Sequence, residues 1–463
     1  MAAYFLWSSG HGLRAYFTDD DMMNLYRYWV QPWWRVLWDN VIYFSPSYRP
    51  MGGVFYRLAY AVAGFDPLPF RLLFYALLLL NLFLVFRFTR RLTGSDEVGV
   101  LAALICSFHA RFIEIYCNTG TVYDVLCFSF YFAALSFYVA TRQGGRLVQG
   151  WRLAWFVVLY IGALDSKEMA LTLPLMIGIY ELVYHTPFSP DRFFAGKWLV
   201  REGLASVLTF VLAIPYVVSK LFAGPLANHP LYTPVLSVGQ FMDTWCWYLD
   251  QLLYSPGWFT PFRVIVLFGA LSAVAWLRRS RNLKFSLLFI IIIPLPILFI
   301  PARGGFAFYV PMAGWALYAA IVIVEICEFA PRRILRIQRP SVFTGAPARL
   351  ALLGLMVLAL VRAHRVQRTW TIPCRSGSEQ EVIRTLARQL GAHKRPPPNS
   401  RILFVADPFA PGAYTPKFIV ALYYGDRSLT VEQVPARDAS QQRPPAQFVI
   451  GYKDQAWMML GWD

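Results

Sequence analysis

Three consecutive carboxylates, Asp19-Asp20-Asp21, follow Phe17-Thr18 and precede Met22-Met23-Asn24-Leu25. Adjacent carboxylates repel, so one can be held at a raised pKa and accept a proton from an attacking hydroxyl. The same triplet also suits a helix N-cap followed by an acidic first turn, and the residues alone do not separate the two readings. Lys167-Glu168 reads as a phosphate clamp with its orienting partner, or as an interfacial ion pair that ends a span. Arg303, ahead of Gly304-Gly305, can reach a phosphate or snorkel to the headgroups, and Arg49 in Ser47-Tyr48-Arg49-Pro50 is a further phosphate contact or a plain loop arginine. Glu114 and Asp124 flank the turn around Asn118. His109 precedes Glu114 by five residues, about 140° around a helix, so they form no simple metal pair. A lone histidine in an apolar run reads first as a hydrogen-bonded packing residue.

The elements that must position these groups are apolar. Of 463 residues, 57% are hydrophobic and 15% charged, and the mean hydropathy is +0.45; an ordinary soluble domain has about 25% charged residues. This excludes a soluble globular enzyme, a disordered chain and a coiled coil. Apolar blocks predict spans near 68–90, 98–116, 121–140, 152–165, 168–185, 200–220, 262–278, 284–300, 306–328 and 349–363. The net charge of +17 resides in short cationic runs between these blocks, which set orientation rather than grip nucleic acid. Arg87, Arg90 and Arg91; Arg142, Arg146 and Arg152; Arg192, Lys197 and Arg201; Arg278, Arg279, Arg281 and Lys284; and Arg332, Arg333, Arg336 and Arg339 occupy every second connection, predicted to be cytoplasmic. The intervening connections, with Asp19-Asp20-Asp21, Asn118 to Tyr123, Lys167-Glu168, the loop 221–261 and Arg303, then face outward. An ionisable group at a span end marks a functional site by default, and these gather on one face.

The organisation expected is an N-terminal segment with interfacial helices over 1–67, a helical membrane domain over 68–365, and a small extracytoplasmic α/β domain over 375–463. Trp29, Trp33, Trp34 and Trp38 read as an interface belt on the outer leaflet. The segment 51–63 reads as interfacial or re-entrant, and a further leading helix is expected upstream of Met1. Glu379 to Leu390 predicts an amphipathic helix; Ile402 to Val405 and Phe448 to Ile450 predict strands. Six cysteines without a C-x-x-C pattern suggest free buried thiols, with Cys246 and Cys374 the pair that could meet outside the membrane. There is no Walker loop, dinucleotide fingerprint, H-E-x-x-H or G-x-S-x-G.

Taken in order, Phe17-Thr18-Asp19-Asp20-Asp21, Tyr48-Arg49-Pro50, Phe108-His109 with Glu114, Asp124, Ser166-Lys167-Glu168, Leu173-Pro174 and Tyr180-Glu181-Leu182 resemble the GT-C integral-membrane glycosyltransferases. The nearest look-alikes are the protein O-mannosyltransferase superfamily and the transmembrane-and-tetratricopeptide mannosyltransferases. The resemblance covers roughly 16–330. It implies an all-α polytopic bundle of about ten or eleven transmembrane helices, here with a small α/β extramembrane domain in place of helical repeats. It also implies a polyprenyl-phosphate sugar donor, an acceptor hydroxyl outside the cytoplasm, and an aspartate of the first outer loop as base. Ala110 departs from the family, where a proline usually follows the histidine.

The expected activity is therefore inverting transfer of a hexosyl or pentosyl group from a polyprenyl-phosphate donor to a protein, lipid or glycan acceptor of the cell envelope, in a bacterial inner or plasma membrane. Asp20 or Asp21 is the base. Lys167, Arg303 and Arg49 hold the donor phosphate, with Glu168 holding Lys167. Asp19, Glu114, Asp124 and His109 support. The donor tail lies between spans. No cofactor is required, although the carboxylates could hold a divalent cation. The competing class is a polytopic transporter or lipid flippase, for which charges near the bilayer midplane and two similar halves are expected; neither is apparent.

Overall fold

A run such as Leu77-Leu78-Leu79-Leu80 cannot leave a membrane without an end signal, and the sequence supplies them. The helix Pro67–Thr93 is capped by the Asp66 side chain, which accepts from Leu68 N, carries proline in its first turn and stops at Gly94 with φ 72°. The computed structural model describes residues 1–44, 49–185, 196–222, 233–334, 346–369, 377–434, 448–454 and 456–462.

In chain order the principal helices are α1 (Ala2–Ser9), α2 (Asp19–Trp29), α3 (Trp33–Val41), α4 (Pro50–Ala63), α5 (Pro67–Thr93), α6 (Asp96–Ser107), α7 (Ile113–Cys117), α8 (Val122–Gln143), α9 (Trp151–Leu164) and α10 (Leu173–Tyr180). They continue as α11 (Leu204–Phe222), α12 (Val238–Leu252), α13 (Pro261–Leu277), α14 (Arg281–Ile292), α15 (Tyr309–Ile334), α16 (Ala346–Thr369), α17 (Gly377–Ala392) and α18 (Thr415–Tyr424). The protein is a multi-pass membrane protein. Among the described residues, five helical segments are long and apolar enough to cross a bilayer: Pro67–Thr93, Thr119–Gln143, Leu204–Phe222, Arg281–Leu298 and Gly305–Cys327. A sixth forms if Asp96–Ser107 and Ala110–Cys117, bent by 51°, make one span.

Five of the ten predicted spans, near 68–90, 121–140, 200–220, 284–300 and 306–328, correspond to these segments. Trp151–Leu164 and Pro261–Leu277 are shorter apolar helices of 14 and 17 residues, and Leu350–Ala363 is the apolar stretch within α16. The block 98–116 bends at Phe108-His109 because side-chain oxygens replace helix carbonyls there: His109 N donates to the Tyr116 hydroxyl at 3.0 Å and Ala110 N to that of Tyr254 at 3.1 Å. The block 168–185 divides into a tight turn Glu168–Thr172, α10, and a wide turn Glu181–His185. At that wide turn Glu181 is gripped by Arg142 at 2.6 and 2.9 Å and by the Tyr138 hydroxyl at 2.8 Å.

The packed interior is aromatic. Phe128 stacks on Phe132 at 4.4 Å and meets Tyr309 at 4.8 Å, joining α8 to α15. On α3, Trp34, Leu37, Trp38 and Val41 are exposed while Val36 and Asp39 are buried, the pattern of a helix with one apolar face turned outward.

The C-terminal unit is a small α/β structure of α17, α18 and a sheet ordered β2-β1-β3-β4. Its strands are β1 (Arg401–Val405), β2 (Thr430–Val434), β3 (Phe448–Lys453) and β4 (Ala456–Trp462). β1 pairs in parallel with β2 and β3, and β3 antiparallel with β4. The predicted strands and amphipathic helix lie within β1, β3 and α17. The unit packs on α2 and α4: Phe418 stacks on Tyr26 at 4.0 Å, and the Tyr60 hydroxyl donates to Leu422 O at 2.6 Å. Arg427 donates to Trp29 O and Val30 O at 2.6 and 3.0 Å.

Candidate active site

The acid triplet begins α2, and the helix start assigns each acid differently. Thr18 and Asp21 form a capping box: Asp21 N donates to Thr18 Oγ1 at 3.2 Å, and Thr18 N donates to Asp21 Oδ2 at 3.0 Å. The other Asp21 oxygen accepts from the Tyr56 hydroxyl at 3.1 Å and from the Thr119 hydroxyl. Arg71, itself buried, lies 3.8 Å from Oδ2. Asp21 is fully buried and joins α2 to α4, α5 and the segment before α8. Asp19 accepts a hydrogen bond from Thr415 of the C-terminal unit.

Asp20 is the exposed acid of the three. It lies against Gly120, where an added Cβ would come within 2.9 Å of Asp20 Cβ, so the glycine is what lets the acid sit there. Asn118 orients it: Asn118 Oδ1 accepts from Thr18 Oγ1 at 3.2 Å and Gly120 N at 2.8 Å, which leaves its amide N–H to bond the Asp20 carboxylate. Partial burial, followed by the charges of Asp21 and Asp19, raises the Asp20 pKa above the ordinary carboxylate range; Arg303 and the Asn118 bond oppose that.

The cations come from separate elements. Lys167, in the connection after α9, is buried and ion-paired with Asp124 of α8, its ammonium 5.6 Å from the Phe306 ring centre. Burial pulls that ammonium below the usual lysine range; Asp124 opposes this, and Arg49 and Arg303 add to it. Arg49 binds Glu168 at 3.0 Å and lies 5.2 Å from the Tyr123 ring centre. The Tyr123 hydroxyl donates to Asn24 Oδ1 at 2.6 Å, and Asn24 donates to Asp20 O at 2.8 Å, so one polar chain runs from α2 to the Arg49-Glu168 pair. The Arg303 loop is drawn in by Gly305, whose Cβ would meet Arg111 O at 2.4 Å.

Lys167 was expected to lean on Glu168. Its partner is Asp124, because the extended backbone between Lys167 and Glu168 sends adjacent side chains to different neighbours. Asp124, expected as a supporting residue of the site, is therefore committed to an ion pair. The pKa of Glu379 on α17 is raised first by loss of solvent around its carboxylate and then by the charges of Asp19, Asp20 and half-buried Glu114 of α7. Glu379 was missed; the sequence signal was the amphipathic helix, which says nothing of which residue reaches back to the acid triplet. His109 stands apart from the charged cluster's hydrogen bonds: Nε2 meets Leu252 O at 2.9 Å and the ring stacks on Tyr254 at 4.6 Å. Among the described residues, no three His, Cys, Asp or Glu side chains converge as metal ligands. Cys117, just before Asn118, is disulfide-bonded, whereas Cys106, Cys127, Cys246 and Cys327 are free; the expectation of free thiols fails there. Cys374 and the segment 45–48 lie outside the described residues.

The fold and this cluster define a multi-pass helical membrane protein with acid and base brought together at one end of its bundle. Among solved structures, the chain is similar to ArnT from Cupriavidus metallidurans in the apo state, with 14% identity, a TM-score of 0.45, and coverage of 88% of this chain and 82% of that one. ArnT from the same organism bound to undecaprenyl phosphate gives 14%, 0.44, 86% and 81%. No family model and no curated protein matches.

Proposed function

We propose that the protein is an inverting glycosyltransferase that moves a hexosyl or pentosyl group from a polyprenyl-phosphate donor to an acceptor hydroxyl on the extracytoplasmic side. The observation that carries this reading is the division of labour in the triplet: Asp21 is spent on the helix cap and Asp20 is left exposed, opposite Arg303. Asp20 takes the acceptor proton as the acceptor oxygen bonds to the anomeric carbon, and the bond from that carbon to the phosphate oxygen breaks on the opposite face. The leaving group departs as the polyprenyl phosphate, with one more negative charge than it carried in the donor. Lys167, Arg303 and Arg49 meet that charge, so no general acid is needed. Asn118 and Gly120 position the base.

Two features support the side of the membrane. Cationic connections alternate with acid-bearing ones, and a disulfide at Cys117 suits an oxidising compartment. The test is incubation of purified protein with a radiolabelled polyprenyl-phosphate sugar. Release or transfer of labelled sugar, lost in Asp20→Asn, is expected. Movement of intact donor across a vesicle without cleavage would instead establish the transporter reading.

A further inference from the structure

Away from the charged cluster, a groove of about 300 Å³ runs between α6, α15 and α16, walled by Leu101, Ile105, Ala319, Ile323, Leu355 and Ala359. Along α15 it extends from Met312 to Ile323, about 17 Å at 1.5 Å per residue. That is close to half of the about 30 Å hydrocarbon core, the depth of one leaflet. None of Asp20, Lys167, Arg49 or Arg303 lines it.

One end of this apolar slot is polar. His109 lines it and is 5% exposed. Its Nε2 is committed to the Leu252 carbonyl, a contact that requires the proton on Nε2, so neutral Nδ1 is a bare acceptor; among the described residues no protein group donates to it. A buried acceptor left so is costly unless a ligand donor reaches it. Arg111 and Arg362 lie within electrostatic reach of the Tyr254 hydroxyl, whose ring stacks on His109 and also lines the groove. The end therefore offers positive charge together with one hydrogen-bond acceptor, and the rest offers a hydrocarbon channel one leaflet deep.

We propose that this groove binds one acyl chain of an anionic glycerophospholipid whose headgroup carries a free hydroxyl. The phosphate lies toward Arg111 and Arg362, and the headgroup hydroxyl donates to His109 Nδ1. The site is separate from the donor phosphate cluster, and the inference stands or falls independently of the transferase reading. A polyprenyl chain, far longer than one leaflet is deep, would leave most of its length outside the slot.

The test is native mass spectrometry of the delipidated full-length protein with phosphatidylglycerol, phosphatidate, phosphatidylcholine or undecaprenyl phosphate. One tightly retained phosphatidylglycerol is expected, bound about tenfold better than phosphatidylcholine, the scale of one charge-assisted hydrogen bond. Ala319→Trp fills the channel and should abolish retention. Arg362→Gln, at an exposed side chain, should narrow the preference over phosphatidylcholine without disturbing the fold. His109→Phe should remove the preference for phosphatidylglycerol over phosphatidate, which has no headgroup hydroxyl. Equal binding of phosphatidylglycerol and phosphatidylcholine to the parent protein overturns the proposal, as does unchanged preference in Arg362→Gln. So does undecaprenyl phosphate displacing phosphatidylglycerol from the parent protein but not from Ala319→Trp, which would give the groove to the donor.

Discussion

At the scale of single residues, three chemically identical acids are separated by what the helix start does to each. Asp21 is the third residue of α2, where a carboxylate closes a capping box. Asp20, one position earlier, meets Asn118 and Gly120 instead. Asp20→Asn should therefore leave expression, membrane insertion and Tm unchanged while lowering kcat by about 10²- to 10⁴-fold, the usual scale for a general base. Asp21→Asn should do the reverse, lowering Tm through loss of a cap that contributes about 1 kcal/mol and through the donors of Tyr56 and Thr119 left beside a poorer acceptor. Thermal melting and single-turnover transfer on the same preparations separate the two. The pH dependence follows from the same neighbours. A base acts deprotonated, so kcat should fall as pH drops through the raised Asp20 pKa. Asn118→Ala removes a donor to the charged form and should move that acid limb to higher pH. A limb that stays in place in Asn118→Ala would show that another group sets it.

At the scale of elements, the sites are made where helices stop. Lys167 follows α9, Arg303 precedes α15, and Asn118 follows α7, so each of these polar groups sits on a connection that two apolar blocks hold in place. This much was legible in the sequence, because long apolar blocks and the ionisable groups at their ends are both one-dimensional signals. The pairing was not. That Lys167 meets Asp124 rather than its neighbour Glu168 depends on how α8 and α9 pack, and the bend at His109 depends on hydroxyls from Tyr116 and Tyr254, distant or on another element. The Lys167-Asp124 pair is buried, and removing one partner strands the other charge, typically at a cost of about 3–5 kcal/mol. Lys167→Met alone should lower Tm sharply, and Lys167→Met with Asp124→Leu should recover most of the loss. The double variant should still turn over donor poorly, with a raised KM, because the recovered stability contains no phosphate cation. Recovery of donor KM along with Tm would remove Lys167 from the phosphate site and leave it a structural residue.

At the scale of the molecule, the C-terminal unit lies beside the proposed base. A cleft of about 480 Å³ between α2 and this unit is lined by Asp19, Glu379, Phe409, Tyr414 and Thr415. The charge of Asp20 reaches the Tyr414 hydroxyl. The unit also braces α2. The start of that helix is held by Thr18 and Asn118, and its end by the Tyr26-Phe418 stack and the two hydrogen bonds from Arg427 to Trp29 and Val30. Of the cations proposed to meet the donor phosphate, Lys167 and Arg303 lie in connections between apolar helices and Arg49 precedes α4, so none of them is on α2. Loosening the brace should therefore disturb the base without disturbing donor binding. Phe418→Ala removes a stack that contributes about 0.5–1.5 kcal/mol beyond its buried area. With Arg427→Ala, it should lower kcat by roughly tenfold, since a small misplacement of a catalytic group is costly, and leave the donor KM near its parent value. Steady-state kinetics on the full-length double variant, with circular dichroism to confirm retained helix, reads this split directly. A rise in donor KM at unchanged kcat would mean that the unit acts on the donor, and that α2 holds Asp20 in place without it.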